Sequence, residues 1–103
     1  MSEIRYSASF QRSLEKIISD WQLKLNLSTE TIKRFVSSIY QSMEDLKRYP
    51  YLATDVAAIY GFNQPTYRVV IGSSYAFFYR VNEDKNRIEI GSLFSTNQMK
   101  VSF

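Results

Sequence analysis

The sequence predicts an α+β domain, with an N-terminal strand and an antiparallel helical hairpin packed on a curved antiparallel sheet. Three observations carry that prediction. Two stretches in the first half repeat apolar residues every three or four positions, the period of a helix with one buried face. Three stretches in the second half, Tyr67–Ile71, Tyr75–Val81 and Arg87–Phe94, are rich in β-branched and aromatic residues. The short polar loops Gly72-Ser73-Ser74 and Asn82–Asn86 separate them, as they would in antiparallel hairpins. With 103 residues and 45% apolar content, the chain reads as one domain, residues 1–103, able to form its own core without disulfide or metal support.

Ile4–Tyr6 is a short apolar run placed to form the first strand. From Phe10 the apolar positions are Phe10, Leu14, Ile17, Ile18, Trp21 and Leu25, one face of a helix. Ser7 or Ser9 is its N-cap, and Asn26 is placed to stop it in a left-handed conformation. Ser28 or Thr29 caps a second helix whose face is Ile32, Phe35, Val36, Ile39, Tyr40, Met43 and Leu46. Pro50 ends it, because the residue before proline avoids helical angles. These stripes place Trp21, Phe35, Tyr40 and Phe77 in one core. A loop through Asp55 leads to Val56–Tyr60, read as a further strand, and Gly61–Pro65 makes the next turn.

The run Ala76-Phe77-Phe78-Tyr79 breaks the alternation of a strand with one wet face, so its strand has apolar groups on both sides. By parity Tyr75, Phe77 and Tyr79 share one face, and Ala76, Phe78 and Arg80 share the other. The first face covers the helices. The second, with Val70, Ala76 and Phe78, is expected to dock a protein partner or to be covered by the chain itself. The candidate cover is Ser95–Phe103, folding back through Met99, Val101 and Phe103.

Composition narrows the chemistry. The chain has no cysteine, which excludes a disulfide scaffold and thiolate zinc and fits a reducing cytoplasm. It has no histidine, which removes the commonest general base and metal ligand. No metal or cofactor site is expected. Asp55, Glu83, Asp84 and Glu89 show no paired spacing. The N-terminus lacks the apolar core of a signal peptide, and no apolar run approaches the ~20 residues of a membrane span. Net charge is +3, spread evenly, with eight basic and six acidic groups in residues 1–49 and five and four in the rest. A dedicated nucleic-acid binder concentrates its charge more than this.

The order strand, helical hairpin and meander, with Tyr67-Arg68, Gly72, Tyr75 and Tyr79-Arg80-Val81 at their spacing, resembles the RelE/ParE toxin superfamily. The resemblance implies a toxin of a bacterial type II toxin–antitoxin module, held inactive by a cognate antitoxin. It also implies one of two modes of action, cutting of mRNA on the ribosome in RelE-like members or inhibition of DNA gyrase in ParE-like ones. Matched position by position to the RelE-like nuclease, Arg68 keeps the first basic site. Val70, Ala76 and Thr96 stand where the other basic groups belong. Ser95-Thr96-Asn97-Gln98 replaces the basic tripeptide, and the C-terminal tyrosine falls near Ser102 or Phe103.

No catalytic residue is assigned. Arg68 can neutralise a phosphate but is a poor base, because its guanidinium stays protonated. Arg68 and Arg80 remain as candidate contacts to nucleic acid or to a protein target, or as solvated strand residues paired with Glu89 or Asp84. Three readings stay open: a ParE-like toxin that binds gyrase, a ribosome-dependent endonuclease, and a toxin fold that has lost its activity.

Overall fold

A computed structural model describes residues 3–99 and 101–103. Met1 and Ser2 of the leader reading, and Lys100 of the proposed fold-back segment, lie outside the described residues. The order is β1 (Glu3–Tyr6), α1 (Ala8–Leu23), α2 (Thr29–Arg48), α3 (Ala57–Tyr60), β2 (Tyr67–Ile71), β3 (Tyr75–Asn82) and β4 (Arg87–Ser95). The four strands lie side by side as β1-β4-β3-β2. The meander β2-β3-β4 is antiparallel as expected, while β1 joins β4 in parallel, with Ile4 opposite Ile88.

The helix ends follow their local chemistry. Ser7 caps α1 by accepting from the Phe10 amide at 3.0 Å, and Ser28 caps α2 by accepting from the Thr31 amide at 3.2 Å. Asn26 sits at φ 51° in the hairpin loop, a left-handed angle asparagine tolerates. The helix α2 stops at Arg48, two residues before Pro50. Its buried line is Ile32, Ile39, Met43 and Leu46, whereas α1 fully buries only Phe10.

The core lies between the helices and one sheet face, where Phe10, Ile39, Met43 and Leu46 meet Ile71, Phe77, Tyr79, Ile88, Ile90 and Leu93. Trp21, Phe35 and Tyr75 close one end, with ring centroids 4.6 to 5.6 Å apart and the Trp21 indole donating to the Tyr75 hydroxyl at 3.1 Å. Tyr40, expected in this core, is instead 52% exposed. It lies on the flank of the α2 stripe, one residue past the central Ile39, where the sheet no longer reaches. Leu25, expected to extend the α1 face, lies beyond the helix end and is exposed.

The β3–β4 pairing carries a bulge: Phe77 faces Leu93 and Tyr79 faces Ile90, so β4 has one extra residue between them. The extra residue lets both Ile90 and Leu93 point at the helices.

Val56–Tyr60 is not the strand the sequence suggested, because all of it after Val56 winds into the one-turn helix α3. The cause is a carboxylate staple. Asp55 Oδ1 accepts from the Ala57 amide at 2.9 Å and from the Thr66 amide at 3.1 Å, and the Val56 amide donates to the Thr66 carbonyl at 2.8 Å. Gly61, at φ 75°, ends the turn in a conformation that a side chain would strain. Strand propensity over five residues loses to these local bonds.

Candidate functional site

The sheet face turned away from α1 and α2 carries the residues singled out for partner contact. Val70 lies opposite Ala76, which lies opposite Phe94, and Arg68 lies opposite Phe78. The face expected either to dock a partner or to be covered by the chain is open at Val70, 45% exposed, whereas Ala76 and Phe78 are buried at 0% and 1%. Their cover is the stapled segment. The Phe78 ring is packed by Tyr60, Phe62 and Phe94 at centroid distances of 5.7, 5.4 and 5.3 Å, and Val56 completes the cluster.

The C-terminal segment also returns, but to a different place. The Ser92 amide donates to the Ser102 carbonyl at 2.8 Å, and the Phe103 ring lies 4.2 Å from the Arg80 guanidinium carbon. Met99, Val101 and Phe103 stay 47%, 36% and 40% exposed, so the segment caps the β4 bulge without sealing the face. Its fit depends on Gly91: a methyl group there would stand 3.0 Å from the Ser102 carbonyl oxygen and 3.3 Å from the Phe103 ring. A lone glycine inside a strand pattern was a readable sign of this close approach.

Arg80 is held from two sides. Its Nε donates to the buried Thr66 Oγ1 at 3.1 Å while Phe103 covers its plane. Burial lowers its pKa, and Glu89 across the ladder acts in the opposite direction, so it remains a cation. Thr66 as its partner had no signal in the sequence. Arg68 and Arg80 are not brought together. Arg80 lines a cleft of about 590 Å³ at one end of the sheet, whereas Arg68 lines a smaller depression with Ser42 and Asp45 of α2.

The larger cleft has the walls of a recognition site. Tyr51 meets Tyr67 edge to face at 5.8 Å, and Tyr67 stacks on Tyr79 at 5.0 Å. Tyr79 is wholly buried; its hydroxyl donates to the Pro50 carbonyl at 2.9 Å and accepts from the Ala53 amide at 3.4 Å, tying the 50–53 loop to the sheet. Burial pushes its pKa up to about 12. Burial likewise raises Tyr67, helped by Asp55 and Glu83, and the hydrogen bond to Glu83 raises Tyr51. All three phenols therefore stay protonated at neutral pH and are weak acids for proton transfer. Among the described residues Glu83, Asp84 and Glu89 line the same cleft against the single cation Arg80, a balance that disfavours phosphate. Among the described residues no group of three acidic side chains is placed to hold a metal ion, and no helix is long and apolar enough to cross a membrane.

The family model for the ParE toxin of type II toxin-antitoxin system, parDE, matches residues 4–99. No curated protein matches the chain.

Proposed function

The chain belongs to the ParE toxin family of type II toxin–antitoxin systems, and from that premise we propose that it inhibits growth in the cytoplasm by docking on a large protein target, DNA gyrase by the family resemblance, and not by cutting RNA. One observation carries this reading. Val70, Ala76 and Thr96 occupy the positions where RelE-type cleavage needs basic groups, and Ala76 is buried. Cleavage of RNA needs several cations on the scissile phosphate and a tuned base near the 2′-hydroxyl. Arg68 and Arg80 line separate depressions, and the phenols beside Arg80 are held protonated.

The family also implies an antitoxin partner. Docking on the second face would engage Val70 directly and would reach Ala76 and Phe78 only by displacing the Val56–Phe62 cover. Exposed aromatic and apolar side chains at Tyr49, Tyr51 and Leu52 offer further contact area beside the cleft.

Primer extension on mRNA from cells expressing the protein, run beside a supercoiling assay with purified gyrase, tests the mode of action. The expected result is uncut mRNA and slowed supercoiling. Codon-phased cuts that vanish in an Arg68→Ala variant would overturn the reading.

A further inference from the structure

The seam between α1 and β4 holds a depression of about 300 Å³ that shares no residue with the cleft around Arg80. Ser9, Arg12, Ser13 and Lys16 form its helical wall, and Ser92 and Ser102 face them. We propose that it is an oxyanion site, taking the phosphoryl group of pyrophosphate or of a small phosphate ester.

The first support is spacing. Positions 9, 12, 13 and 16 are related by steps of three and four, which puts two hydroxyls and two cations on one face of α1. Like charges at i and i+4 repel each other unless an anion lies between them.

The second support is the partner count. Among the described residues no carboxylate lines the depression. Among the described residues Arg12 has one hydrogen bond, to Ser9 Oγ at 3.4 Å, and no ion pair. Among the same residues Lys16 pairs only with Asp20, at 3.1 Å, with side chains 73% and 37% exposed. An exposed pair of this kind contributes little and releases its lysine readily.

The third support is rigidity. Ser13 Oγ accepts from the Leu93 amide at 3.0 Å while lying 2.8 Å from the Ser9 carbonyl oxygen and 2.9 Å from that of Phe10. That bond joins α1 to β4 across the floor of the depression. On the far side the Ser92 amide is fixed to the Ser102 carbonyl at 2.8 Å. A site whose walls are already in place loses less to ordering when it binds.

Size then selects the ligand. A volume near 300 Å³ equals roughly ten waters, enough for one or two phosphoryl groups with residual solvent. A nucleobase attached to them would remain outside, so the site does not discriminate between bases. Two cations are also too few to follow a nucleic-acid backbone.

Titration of the whole protein with sodium pyrophosphate, followed through backbone amide resonances, tests the proposal. Saturable shifts centred on Ser92 and Leu93 are expected, with ADP and GDP binding equally well. The Arg12→Gln/Lys16→Gln double variant should lose at least ~10-fold in affinity, each cation contributing a charge-assisted bond. Lys33→Gln/Arg34→Gln, a change of equal charge at exposed positions of α2, should keep full affinity. Absence of saturation at millimolar pyrophosphate would overturn the assignment, as would equal losses in the α1 and α2 double variants. Tighter binding of a DNA duplex than of pyrophosphate, abolished by the double variant, would reassign these cations to nucleic acid.

Discussion

Phe77 and Phe78 are neighbours in β3 and equally buried, at 0% and 1% exposure, yet they belong to cores of opposite construction. Phe77 faces α1 and α2, whose apolar side chains recur with the helical period, and it joins the larger cluster through Phe10 at 6.1 Å. Phe78 faces a patch assembled from Val56, Tyr60, Phe62 and Phe94, three of them in one short irregular segment held by Asp55. Equal burial therefore does not mean equal mechanical support. One face rests on two long regular elements, the other on a stapled loop.

The sharpest way to break the comparison is to truncate both rings. Phe77→Ala is expected to cost ~3–5 kcal/mol, because the helices that line the cavity cannot collapse into it. Against the ~5–15 kcal/mol typical of a domain, that loss would lower the melting temperature severely. Phe78→Ala is expected at the lower end of the same ~3–5 kcal/mol range, since the 55–66 segment can settle inward. Lys24→Ala, whose ion pair with Asp20 is exposed, should leave chemical denaturation unchanged. A larger loss at Phe78 than at Phe77 would mean that the stapled segment is the stiffer cover. The same reasoning makes Phe78→Asp a test of folding before it is a test of antitoxin binding.

Tyr79 belongs to the helix-covered face but anchors the loop leading to the other one, so it measures how far the two are coupled. Removing its hydroxyl in Tyr79→Phe leaves the Pro50 carbonyl without its donor and should cost ~1–3 kcal/mol at neutral pH. The pH dependence has a definite sign. The folded pKa is raised to about 12 from the ordinary 10.0, so the contribution is complete below pH 10.0 and is lost as pH rises towards 12. In that window the unfolded chain gives up its proton first. Denaturation midpoints measured across it should fall more steeply for the wild type than for Tyr79→Phe. Parallel slopes would show that this phenol does not control alkaline stability.

The smallest expected effect concerns the C-terminal cap. Gly91→Ala should displace Ser102 and Phe103, costing ~1 kcal/mol for the lost hydrogen bond and ring contact. Hydrogen exchange at the Ser92 amide should quicken while exchange in the helix-covered core stays slow. Unchanged protection at Ser92 would show that the segment contributes nothing to this face.

Much of the fold was legible in the sequence, for a physical reason that also marks where legibility ended. The helices, their caps at Ser7 or Ser9 and at Ser28 or Thr29, and the meander over β2, β3 and β4 follow from periodicity and from the capping chemistry of short polar side chains. The structure selects Ser7 and Ser28. The parity of Tyr75 through Arg80 was readable because a strand alternates its side chains. Val56–Tyr60 was misread because the β-prone Val56, Ile59 and Tyr60 carry no sign of a carboxylate staple that spans 11 positions. Tyr40 was misplaced because an apolar stripe does not say how much of its width the sheet covers. For the candidate site, the sequence picked out Arg68, Arg80, Val70, Ala76 and Phe78, but neither the separation of Arg68 and Arg80 into two depressions nor the burial of Ala76 and Phe78 could be read from it.

By itself, then, the sequence determined the fold class, the family resemblance and the non-basic residues at positions 70, 76 and 96, all properties of local pattern and residue identity. The tertiary structure alone decided which segment covers the second face, that Arg80 is clasped between Thr66 and Phe103, and that Arg12 and Lys16 meet Ser92 across a shared depression. Those pairings join residues distant in the chain, and what selects them is shape and hydrogen-bond satisfaction, which no short window of sequence encodes.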